Sequence, residues 1–85
     1  MAKQRYQRLA QQAISTKFVG PTDRRGACIQ ATTASGVKLN VAYDHGLDDF
    51  ANHQAAARAL ADRLKWPGNL IGGSTRGGYC FVFKE

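Results

Sequence analysis

No stretch of the chain approaches eighteen consecutive apolar residues, so the sequence offers no membrane-spanning helix. The first fifteen residues are polar and glutamine-rich and lack the apolar centre of a secretory signal, which sets the expectation of a cytoplasmic protein. Cysteine is scarce. Cys28 and Cys80 are far apart in sequence and each falls in a strand-like segment. They read as reduced core residues rather than a staple, because spacing alone does not supply the geometry of a bridge. No serine sits in a strand–turn–helix elbow, and the glycines at 72, 73, 77 and 78 flank a hairpin instead of opening a helix. Nucleophilic catalysis and a phosphate-cradling loop are therefore unsupported. With 85 residues there is room for one domain and one core, and the expectation is a non-enzymatic protein without a cofactor.

Acidic residues are also few, six against twelve Lys and Arg, for a net charge of +6. The imbalance is local. Residues 1–26 carry six bases (Lys3, Arg5, Arg8, Lys17, Arg24 and Arg25) against Asp23 alone, whereas residues 44–66 carry four acids against three bases. Such a field favours encounters with nucleic acid, an anionic membrane or an acidic protein face.

What is present is the pattern of a small α+β domain. K-Q-R-Y-Q-R-L-A-Q-Q-A-I places Tyr6, Leu9, Ala10, Ala13 and Ile14 at three- and four-residue steps, a short basic amphipathic helix over 1–14. Residues 15–85 form the domain proper. S-T-K-F-V and A-C-I-Q-A-T-T read as strands around the turn G-P-T-D-R-R-G, where Pro21 fixes a backbone angle and Asp23 is expected to bond its own turn. In V-K-L-N-V-A-Y, Val37, Leu39, Val41 and Tyr43 alternate with Lys38, Asn40 and Ala42, one face buried and one wet. Asp48 or Asp49 caps a helix through about Lys65, with Phe50, Ala57, Leu60, Ala61 and Leu64 as its stripe, Arg58–Asp62 as an i,i+4 pair, and W-P-G as its stop. N-L-I-G-G and Y-C-F-V-F close the chain as a hairpin, the last strand apolar on both sides and so inside the sheet. The expected order is α-β-β-β-α-β-β, an antiparallel sheet of about five strands with one long helix on one face.

Asp44, His45, Asp48, Asp49 and His53 crowd within ten residues, a pattern suited either to a metal or acid–base site or to the start of a helix. The two histidines lack zinc-helix spacing and no cysteine lies nearby, so the structural reading is preferred and no metal ligand is assigned. His53, on the edge of the stripe, is expected to hydrogen-bond back to the loop. G-Y-C-F-V near the end resembles the aromatic strand of RNA recognition modules, but it follows the long helix instead of preceding one and is out of register. The order α-β-β-β-α is shared with double-stranded-RNA-binding domains, whose second helix opens on lysines; this one opens on two aspartates. What remains is the basic set Lys3, Arg5, Arg8, Lys17, Arg24 and Arg25. It is either a solvated face or a binding patch for nucleic acid or an acidic protein surface, with Tyr6 and Phe18 serving for stacking or for packing.

T-K-F-V-G-P-T-D-R-R-G-A-C-I-Q-A (Thr16 to Ala31), Y-D-H-G-L (Tyr43 to Leu47) and N-H-Q-A-A-A-R-A-L-A (Asn52 to Ala61) resemble a family of small proteins encoded by phages, plasmids and integrated elements of proteobacteria. The likeness covers roughly residues 15–83 and is most specific in the G-P-T-x-x-R-G turn and the D-H…N-H pair. Proteins of this size and origin include anti-CRISPR proteins. The resemblance thus implies a binding protein acting in the cytoplasm of a bacterial host, an inhibitor seated on a CRISPR effector complex where target DNA or a recruited nuclease docks. Its basic charge departs from acidic DNA mimicry and points to an acidic protein patch, or to nucleic acid held in the complex. The alternative is a basic nucleic-acid-binding accessory protein of the element.

Overall fold

The computed structural model describes residues 12–84. They form five strands and one helix: β1 (Ile14–Val19), β2 (Cys28–Thr33), β3 (Lys38–Ala42), α1 (Asp49–Arg63), β4 (Asn69–Thr75) and β5 (Gly78–Lys84). The sheet is wholly antiparallel with strand order β3-β2-β1-β5-β4, and α1 packs across β1, β2, β3 and β5 on one face. This is the α+β architecture that the alternating strands and the alanine-rich helix predict. β5, apolar on both sides, lies between β1 and β4 as expected. The proposed first helix lies outside the described residues except at its end, and there the structure differs. Ile14 opens β1 and is fully buried, paired with Thr33 and Phe81, so its apolar side chain belongs to the sheet.

The period-two pattern sorts the sheet into two faces. Ile14, Ile29, Ala31, Phe81 and Phe83 face α1 and pack against Ala56, Ala57, Leu60 and Ala61. Alanines let the helix approach closely, so a fifteen-residue helix covers four strands without a thick layer of side chains between. Two glycines make the β4–β5 side of this packing fit. A side chain at Gly72 would run into the Phe81 ring, and one at Gly78 into the Thr16 carbonyl, so the aromatic lies flat over β4 and β5 crosses tightly against β1.

Asp48 caps α1, accepting the Ala51 N–H at 2.7 Å, and Asp49 lies in the first turn where the helix dipole favours an acid. The helix stops two residues earlier than W-P-G suggests. Leu64 is the C-cap, Lys65 takes φ of 59°, Lys65 N–H donates to Asp62 O at 3.0 Å and Trp66 N–H to Ala61 O at 2.8 Å. That pair of bonds is a Schellman motif with lysine in the left-handed position glycine usually fills. Arg58 then fastens the exit: besides its pair with Asp62 (3.1 Å) it donates to Gly68 O at 2.6 Å and Trp66 O at 3.1 Å.

Candidate functional site

The carboxylate and imidazole cluster between Asp44 and His53 resolves into a folding knot. Asn52, buried on the first turn of α1, accepts the Asp44 N–H (2.7 Å) and donates to Asp44 O (2.9 Å), Asp48 O (3.0 Å) and Leu47 O (3.3 Å). Asp44 turns the loop by accepting the Gly46 N–H at 2.8 Å. His53 does not bond back to the loop as expected. It lies 2% exposed beneath the sheet, its Nδ1 2.7 Å from Thr16 Oγ1 on β1, its ring against Tyr79 at 4.6 Å, and its Nε2 3.6 Å from the Asp49 carboxylate. A carboxylate facing Nε2 favours the tautomer with hydrogen there, so the Thr16 hydroxyl donates to Nδ1. Burial pushes His53 below its ordinary value of 6.5 and the neighbouring Asp49 charge pulls the other way. His45 is exposed and lies against Tyr43. Among the described residues no three His, Cys, Asp or Glu side chains converge in a way that would hold a metal ion.

The basic residues divide by place. Lys3, Arg5 and Arg8 lie outside the described residues. Arg24 and Arg25 sit on the exposed β1–β2 hairpin, where Thr22 N–H donates to Arg25 O at 2.7 Å, Arg25 N–H to Thr22 O at 3.3 Å, and Arg24 N–H to the Thr22 hydroxyl at 3.3 Å. Thr22, not Asp23, supplies the side-chain bond of this turn; threonine does here what the aspartate was expected to do. Among the described residues neither arginine is in an ion pair.

Lys17 belongs to the sheet face turned away from α1. In register, that face shows Ser15, Lys17 and Val19 on β1, Gln30 and Thr32 on β2, Lys38 and Asn40 on β3, and Cys80, Val82 and Lys84 on β5. Gln30 bridges to Asn40 through Nε2 to Oδ1 at 3.2 Å, tying the polar row that runs out from Lys17. Ser15, Lys17, Gln30, Thr32, Lys38 and Thr75 line a shallow open depression of about 370 Å³, and Arg76 sits on the turn at its rim. Among the described residues this face carries three lysines and no acid, whereas Asp44, Asp48, Asp49 and Asp62 lie on α1 or the loop leading into it, together with Arg58 and Arg63, and Asp23 lies on the arginine hairpin.

Sequence reasoning placed Lys17 in a patch but left Lys38, Lys84 and Arg76 out of it. The alternation of V-K-L-N-V-A-Y already set Lys38 on the wet face; only strand order brings β3 beside β2 and hence Lys38 to the depression that Lys17 lines. Both cysteines are free, as expected, and Cys28 is buried while Cys80 is half-buried. What differs is the face, since both lie on the side of the sheet away from α1, Cys28 opposite Val19 and Cys80 opposite Ser15, on either side of β1. No protein-family model, curated protein or solved structure matches the chain.

Proposed function

We propose that this protein is a nucleic-acid-binding protein that grips the phosphate backbone with the open face of its sheet. The observation that carries the reading is the segregation of charge. Lys17, Lys38 and Lys84 share a face without acids, and the hairpin of Arg24 and Arg25, which holds a single acid in Asp23, and Arg76 extend it. The other four aspartates sit on the helix side, where Arg58, Arg63 and Lys65 offset them. Lysine ammonium groups on a field of Ser, Thr, Gln and Asn suit phosphate and sugar contacts, which position a protein without reading sequence. No aromatic side chain stands on this face among the described residues, so bases are left unstacked and binding is indifferent to sequence. Within this reading the narrower target is nucleic acid held by a CRISPR effector complex in the host cytoplasm, with the protein as an anti-CRISPR inhibitor; loss of target-DNA cleavage on adding the protein tests that step.

The direct test is fluorescence anisotropy with labelled single-stranded and duplex oligonucleotides across a salt series. Wild type should bind at low salt and weaken linearly in the logarithm of salt, and Lys17→Glu/Lys38→Glu should lower the slope by roughly 0.7 to 0.9 per lost phosphate contact. Absence of binding at low salt defeats the proposal.

A further inference from the structure

The two edges of the sheet are built differently. β3 carries Lys38 on its exposed edge. β4, at the other edge, is N-L-I-G-G-S-T, seven residues with neither a charge nor a proline. Charges and prolines are the usual means of keeping an edge from pairing with another chain, and β4 has neither. Ile71 in its middle is 49% exposed. Beside it, between α1 and β4, runs a trough of about 540 Å³ lined by Ala51, Gln54, Ala55, Arg58, Asn69 and Leu70.

We propose that β4 is a self-pairing edge, through which two copies of the chain associate antiparallel about a two-fold axis at Gly72, making one ten-stranded sheet. The charge pattern selects a second copy as the occupant. A two-fold interface sets each side chain near the axis beside its own duplicate, so a charge there repels itself. β4 has no charge to repel itself and none to attract an acidic or basic partner, and Arg58, the charged residue of the trough beside it, is already paired with Asp62. Shape agrees. With Gly72 on the axis, Ile71 falls opposite Gly73 of the second copy. Both lie on the open face, so each exposed isoleucine covers a residue without a side chain. Phe81 stands in the same relation to Gly72 within one copy. On the helix face Leu70 meets Ser74 of the second copy, and the two troughs join. Seven edge residues and the four trough residues of α1 give eleven residues a side, about half the roughly 20–30 of a standard interface, which makes this a weak dimer populated at high concentration.

Sedimentation equilibrium up to about 1 mM protein, where even a millimolar Kd leaves a large dimer fraction, tests it together with amide NMR spectra on dilution. Wild type should dimerise, with shifts centred on Asn69–Thr75. Ile71→Lys, which alters an exposed side chain, should weaken association about tenfold or more with an unchanged unfolding midpoint. Association should strengthen with salt, because two copies of charge +6 repel, whereas nucleic-acid binding weakens with it; Lys17→Glu/Lys38→Glu should leave the dimer intact. A monomer at 1 mM overturns the proposal, and so does a dimer whose dilution shifts lie away from β4 or that Ile71→Lys leaves undiminished.

Discussion

Thr16 and His53 are a polar pair buried against an apolar, alanine-rich core, and their energetics follow from that setting. Each satisfies the other across the helix–sheet interface, at 2.7 Å. Thr16→Val keeps the shape of the side chain but leaves Nδ1 of His53 without a donor, which costs about 1–3 kcal/mol; urea unfolding should show a lower midpoint with little change in slope. The same imidazole predicts a pH dependence. Its folded-state pKa is lowered, chiefly by burial, so as pH falls the unfolded chain takes up the proton first. Stability from His53 is therefore fully present above about pH 6.5 and declines below it, until the folded-state value is passed. Thermal unfolding at pH 7.5 and 5.5 should show this loss, and His53→Gln should flatten it.

At the scale of elements, the exit of α1 is locally strained and the strain can be relieved. Lys65 at φ of 59° pays the roughly 1–2 kcal/mol of a left-handed β-carbon, while glycine there would add about 0.4–1 kcal/mol of unfolded-chain entropy to be lost. Lys65→Gly should thus stabilise by about 0.5–1 kcal/mol, read by chemical denaturation. The sequence did not announce this position, because W-P-G is the stronger punctuation and lysine is a good helix former. The strands were legible where one face is wet: β3 alternates cleanly, and β5 betrays its interior place by being apolar on both sides. Ile14 misled for a physical reason. A single isoleucine fits the face of a preceding helix as well as the inward face of a strand, and only its pairing with Thr33 and Phe81 decides between them. Gly72 and Gly78 read only as glycines flanking a hairpin because their use is tertiary, a ring and a backbone lying where a β-carbon would be. Of the D-H…N-H residues, Asp44 and Asn52 bond to each other locally and His45 lies exposed against Tyr43, whereas the partner of His53, Thr16, comes from β1 passing beneath α1, which lies in the fold and not in the spacing.

At the scale of the whole molecule, a charge of +6 on 85 residues attracts any polyanion, so a binding face must be distinguished from a general field. Two charge reversals of equal size separate them. Lys17→Glu/Lys38→Glu and Arg24→Glu/Arg25→Glu each remove two bases and add two acids, taking the net charge from +6 to +2. If the field alone governs binding, the two variants lose affinity equally and keep a common salt slope. A localised face behaves otherwise. Lys17 and Lys38 line one depression on the open side, while Arg24 and Arg25 project from a hairpin beyond the end of β1. Both variants should slow association alike, since steering depends on total charge. The lysine variant should in addition lose most of its affinity at about 0.15 M salt and show the shallower slope, because its losses are contacts and each contact releases a counterion. Stopped-flow association rates alongside equilibrium titrations at several salt concentrations measure both effects. Equal equilibrium losses would move the interface from the sheet face to the general field. A greater loss in the arginine variant would move it to the hairpin.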